Sequence, residues 1–165
     1  IKEDKTIAGT LCFVCDDVCY NIDIGVLDAD EALLKQGINT YIFWSVAEWG
    51  KEQGAVFYDM GGSFGWRSYG TFRWKAKWPS RVIGRRNASR MLRFSANRIS
   101  PPLREKINTT GFICESNDSF YSLILENNNA PLTESDLVDT IKRTQKEGLS
   151  GVCVIAPDSK PRFYQ

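Results

Sequence analysis

The chain has 165 residues, 42% of them hydrophobic, with a formal net charge of +1 and no histidine. That length fits one domain, or one domain with a small appendage, and the apolar content excludes a disordered chain. The missing histidine excludes Ser-His-Asp, Cys-His and His-based metal mechanisms.

The longest apolar runs are only a few residues, far from the roughly 20 needed to cross a bilayer. The N-terminus also lacks the basic-then-apolar layout of a signal peptide, so the chain is expected to be soluble, with no transmembrane segment. Five cysteines cannot all pair within one chain, which points to a reducing, cytoplasmic setting. Cys12-x2-Cys15-x3-Cys19 has the look of a metal ligand set, but these thiols fall on two neighbouring strands and spread over both faces of a hairpin. They are read as small apolar strand residues, with no metal site.

Taken in order, residues 7–15 and 18–26 are rich in β-branched and aromatic residues and flank Asp16-Asp17, the pattern of an antiparallel hairpin. A short helical patch at Asp30 to Lys35 follows, then Gln36-Gly37. Asn39 is placed to cap a helix from Thr40 to about Gln53, with Ile42, Phe43, Val46, Ala47 and either Trp49 or Gly50 on its buried side and Gly54 closing it. Ala55 to Asp59 is four apolar or aromatic residues running into Asp59, Gly61 and Gly62. It is expected to be the buried central strand, with its carboxyl end in the position that ligands favour in open α/β sheets.

Tyr69 to Trp78 is helical in pattern, with Trp74 and Trp78 on one face, and Pro79-Ser80 breaks it. Arg81 to Ile99 is basic, and Ser100-Pro101-Pro102 is read as an interruption and a candidate boundary. Beyond it, two strands (Gly111 to Cys114, Ser119 to Leu125), a capped helix (Thr133 to Glu147, stopped by Gly148) and a buried strand (Gly151 to Ala156) form a β-β-α-β tail. The fold class is therefore α/β (α+β), a mixed β-sheet flanked by helices. Residues 1–100 form one region, and 101–165 a second that can complete the same sheet.

The charge is unevenly placed. From Arg67 to Lys106 there are twelve cations and one acid, Glu105, interleaved with Trp66, Phe72, Trp74, Trp78 and Phe94. Such a block contacts phosphates, or else is a solvated face balanced by the acidic flanks.

The segment Asn39 to Gly54, then Tyr58-Asp59-Met60-Gly61-Gly62, then Gly70-Thr71-Phe72-Arg73-Trp74-Lys75 resembles the FemAB-type branch of the GCN5-related N-acyltransferases. In that branch a helix ending in glycine leads into a Tyr-Asp-x-Gly-Gly strand and then a helix with a Phe-Lys pair, here Phe72-Arg73. The likeness spans about Thr6 to Trp78. It implies a GCN5-related acyltransferase-like half, transfer of an acyl or aminoacyl group to an amine, and an acyl-CoA or aminoacyl-tRNA donor.

On that reading Asp59 orients or deprotonates the amine, and Gly61 and Gly62 let the backbone approach the reacting carbonyl. Tyr69 serves the leaving group, Arg73 and Lys75 meet phosphates, and Gly37, Asn39 and Thr40 hold a phosphate at a helix N-terminus. Each also has a plain reading, as a turn, a cap or surface packing. Two other functions stay open: an inactive interaction domain on a transferase-like scaffold, and a nucleic-acid-binding module using residues 67–106. The partner is a phosphate-bearing donor or acceptor, with RNA and a homo-oligomer as further alternatives.

Overall fold

The computed structural model describes residues 5–84, 99–127, 131–157 and 159–165. The chain divides into two compact units, Ile1–Gly62 and Ser63–Gln165, each with its own mixed sheet and helices. Among the described residues no helix is long and apolar enough to cross a membrane.

In the first unit, β1 (Ala8–Cys15) and β2 (Val18–Val26) pair antiparallel around Asp16-Asp17, with a register shift between Leu11 and Cys12. Asp16 takes φ 55°, a turn conformation that aspartate tolerates. The short α1 (Glu31–Lys35) is capped by Asp30, whose carboxylate accepts the N–H groups of Ala32 and Leu33. Next come α2 (Ile38–Glu52) and β3 (Phe57–Asp59), which lies parallel to β2 in the order β1-β2-β3.

One face of the hairpin packs on α2. Cys19, Ile42 and Val46 are buried between them, with Cys12, Val14, Ile24, Ile38 and Tyr58 against them. Cys15 is exposed, so the three clustered thiols divide between the two faces of the hairpin.

Two expectations are corrected here. The segment Ala55 to Asp59 is not the central strand. Its ladder covers three residues, it borders only β2, and Val56 and Phe57 are 74% and 55% exposed. The strand with a partner on each side is β2. The cap of α2 is also displaced: the N-cap is Gly37, at φ 87° and with no side-chain bond, while Asn39 and Thr40 lie exposed in the first turn. A left-handed φ suits glycine, so the backbone rather than the Asn39 amide sets the helix start.

Gly50 makes the closest approach between α2 and the sheet. A Cβ built there would sit 2.7 Å from the Cys19 Cβ and 2.8 Å from its sulfur. Glycine inside a helix normally costs about 1 kcal/mol relative to alanine. Here the clash is with the stem of a buried side chain, and overpacking of this kind costs about 1–3 kcal/mol. Gly50→Ala is therefore expected to lower stability in chemical unfolding, and a gain would refute the close approach.

The second unit begins with the segment Gly65 to Ser68 lying along the end of α4 (Pro101–Thr110). The Arg67 and Ser68 N–H groups donate to the Gly111 and Thr110 carbonyls. Between them in sequence comes α3 (Gly70–Lys75), with Phe72 buried and the Trp74 and Trp78 rings 5.7 Å apart. The prolines of Ser100-Pro101-Pro102 open α4 rather than interrupt the fold. A proline at the first helical position gives up an N–H that has no partner in the helix anyway.

Strands β4 (Ile113–Ser116) and β5 (Ser119–Leu125) form a hairpin. Helix α5 (Glu134–Lys146) crosses to β6 (Gly151–Ile155), which runs parallel to β5. The Thr133 hydroxyl oxygen accepts the Asp136 N–H at 3.1 Å, as the sequence implied. A last strand, β7 (Arg162–Tyr164), pairs antiparallel with β6 and was not foreseen; three residues give no periodicity to read. Leu123, Leu125, Tyr121 and Cys153 form the core with Ile99 and Ile107.

Candidate functional site

The first unit places Asp59 where the β2–β3 ladder ends. Its last pair is Tyr20 with Asp59, yet β2 continues to Val26. Beyond Asp59 the ladder between the two parallel strands ends, while β2 stays paired with β1 as far as Val26. In parallel arrangements this is the position where ligands enter.

Two polar groups mark the opening, one on each face. On the α2 side, Asn21 is 7% exposed and donates its Nδ2 to the Tyr58 hydroxyl at 3.1 Å. The Thr10 hydroxyl lies 2.9 Å from Asn21 Oδ1, so the buried amide is held at both ends. Burial pushes the Tyr58 phenol up to about 12, ahead of the smaller opposing effect of the Asn21 bond. Tyr58 thus stays protonated at neutral pH and, accepting from Asn21, keeps its own O–H to donate.

On the other face, with Tyr20, stands Asp59. Its Oδ1 accepts the Gly61 N–H at 2.7 Å, closing a turn in which Gly61 has φ 77°. The carboxylate is thereby fixed in orientation. Gly62 is exposed, with no atom within 4 Å of a notional Cβ.

The remaining sequence candidates fall in two places. Gly37, Asn39 and Thr40 belong to the first unit, at the N-terminal turn of the 15-residue α2. Tyr69, Arg73 and Lys75 belong to the second, on and just before α3; Tyr69 is 43% exposed and Arg73 is exposed. The basic block is partly internal. Arg67 is held bidentate by Glu147, Nε to Oε2 at 2.6 Å and Nη2 to Oε1 at 2.9 Å, and Arg104 donates to the Glu126 carbonyl. Arg85, Arg86, Arg90, Arg93 and Arg98 lie outside the described residues.

Asn21 and Tyr58 were missed from sequence alone. The available signal was one amide inside the otherwise β-prone run Val18–Val26, but its partner is 37 residues away.

Residues 2–76 match the family model of the acetyltransferase (GNAT) domain. No curated protein and no solved structure gives a significant match. The GNAT match spans the whole described part of the first unit and runs through α3. The match makes this stretch, less than half of the chain, similar to GNAT domains, whose general chemistry is acyl transfer to an amine. The mixed α/β architecture is consistent with a GNAT-like fold. GNAT domains use acyl-CoA donors and amine acceptors.

Proposed function

We propose that this chain is an N-acyltransferase of the FemAB-type branch of the GNAT superfamily, moving an acyl or aminoacyl group onto an amine. The observation that carries the reading is the Asp59 carboxylate, fixed by the Gly61 N–H at the point where β2 and β3 part. Asp59 takes the proton of the attacking amine as the new C–N bond forms and the bond to the leaving group breaks. A carboxylate already oriented needs little reorganisation to do this. Gly61 and Gly62 allow the backbone to approach the carbonyl carbon without side-chain obstruction.

Gly37, Asn39 and Thr40 fit the phosphates of an acyl-CoA or aminoacyl-tRNA donor. The first turn of α2 presents backbone N–H groups and the positive end of a 15-residue helix, and the exposed Asn39 and Thr40 side chains add hydrogen-bonding groups there. The roles of Tyr69 toward the leaving group and of Arg73 and Lys75 toward phosphates belong to the same proposal and are tested residue by residue. Five free thiols favour a reducing, cytoplasmic setting for the reaction.

The test is transfer itself. Purified chain is incubated with acyl-CoA donors, then with aminoacyl-tRNA, in the presence of small and peptidyl amines. Release of free CoA thiol or deacylated tRNA is followed against the appearance of amide product. Time-dependent amide formation is the expected result. Failure to bind either donor would support instead an interaction domain on a transferase-like scaffold.

A further inference from the structure

The acyl-transfer reading uses Tyr69, Arg73 and Lys75 of the aromatic and basic stretch at the start of the second unit, but leaves Phe64, Trp66 and Lys77 of the same stretch without a role. Between Ser63 and Gly84 there are five cations and no aspartate or glutamate. Phe64, Trp66 and Tyr69, which are 63%, 37% and 43% exposed, line an open cleft of about 360 Å³ together with Ser68 and Gly70. Exposed clusters of large aromatic rings mark interaction sites more often than solvated surface.

The rings are held by their neighbours. Phe64 meets Tyr69 edge to face at 4.9 Å between centroids, and Trp66 is backed by Phe112 at 4.2 Å and by a backbone bridge to it. The cleft therefore presents π faces at little cost in side-chain ordering.

The charge around it selects the occupant. An aromatic cage for a cation favours a neutral or acidic rim, whereas the exposed charged side chains of this stretch, Arg73, Lys77 and Arg81, are all cations, Arg67 being paired with Glu147. Arg73 lies one helical turn beyond Tyr69, its N–H donating to the Tyr69 carbonyl at 2.9 Å, and Lys77 follows four residues later; both side chains are exposed. A planar aromatic group carrying negative charge satisfies both features, and a nucleobase with its flanking phosphates is such a group.

We propose that the Phe64–Trp66–Tyr69 cleft stacks an unpaired base of single-stranded nucleic acid, with Arg73 and Lys77 on the adjoining phosphates. The proposal goes beyond acyl transfer, and its test rests on Phe64 and Lys77, which the acyl-transfer reading does not use.

The test is fluorescence anisotropy with a labelled single-stranded oligonucleotide of about ten nucleotides, as RNA and as DNA, titrated with the whole chain at several salt concentrations. Phe64→Ala removes an exposed ring and is expected to weaken binding about 5- to 150-fold, the range for one stacked base. Lys77→Gln is expected to flatten the salt dependence by about 0.7 in log–log slope, the value for one phosphate contact on a single strand. Equal thermal unfolding of both variants and the parent shows that the losses are local.

Three results would overturn the proposal. These are no binding of the oligonucleotide, equal affinity for the same sequence as a duplex, which would make the contact purely electrostatic, and equal affinity for AMP or coenzyme A, which would make the cleft a mononucleotide pocket.

Discussion

Replacing Arg67 by methionine is expected to lower the stability of the second unit by about 3 kcal/mol. The Arg67 side chain is 14% exposed and that of Glu147 26%. Two parallel bonds join them, and Arg67 Nη1 also donates to the hydroxyl of Ser122, a residue 1% exposed, at 3.1 Å. Removing the guanidinium leaves a largely buried carboxylate and a buried hydroxyl without their donor. Breaking a buried pair from one side typically costs about 3–5 kcal/mol, and the partial exposure of Glu147 places this one at the lower end.

The double variant Arg67→Met with Glu147→Leu separates the charge penalty from the loss of shape. Replacing both partners by apolar groups of similar volume is often neutral, so most of the loss should return. Urea unfolding of the single and double variants makes the comparison. A single-variant loss below about 1 kcal/mol would mean that the pair behaves as a solvated surface bridge.

The second large effect is on rate. Asp59→Asn keeps a side-chain oxygen able to accept the Gly61 N–H, now 2.7 Å from Oδ1, and deletes the charge and the basicity. Acyl transfer is expected to fall about a hundred- to a thousandfold, the range reported for losing one transition-state contact or a positioned base. The unfolding midpoint should remain that of the parent, because the turn is preserved. Initial rates of amide formation at saturating donor give the answer, and full activity would remove Asp59 from the mechanism.

Much of the fold was legible because the deciding interactions are local. The hairpin declares itself through two β-rich runs around Asp16-Asp17, and α5 through Thr133, Asp136 and Gly148, whose contacts span three or four residues. Elsewhere the deciding interaction lies far along the chain. The apolar run Ala55 to Asp59 reports strand propensity but not how many strands flank it, so an edge strand was read as a central one.

Arg67 illustrates the same limit for charge. Counted along the sequence it belongs to a basic patch; in the fold its counterion is 80 residues away. At the candidate site Asp59 and its glycines were visible as a turn signature, whereas the Thr10, Asn21 and Tyr58 chain was not, since its members come from three strands.

The way β3 joins its sheet also bears on the order in which the unit assembles. The β1–β2 hairpin closes over a tight turn, so its contacts form after a small loss of chain entropy. β3 can add its three-residue ladder only after residues 27–56 have folded back through α2. The last contacts to form and the first to open are then those between Tyr20 and Asp59. Amide hydrogens of β3 should exchange with solvent well before those of the hairpin, which makes the candidate site the soft edge of its unit.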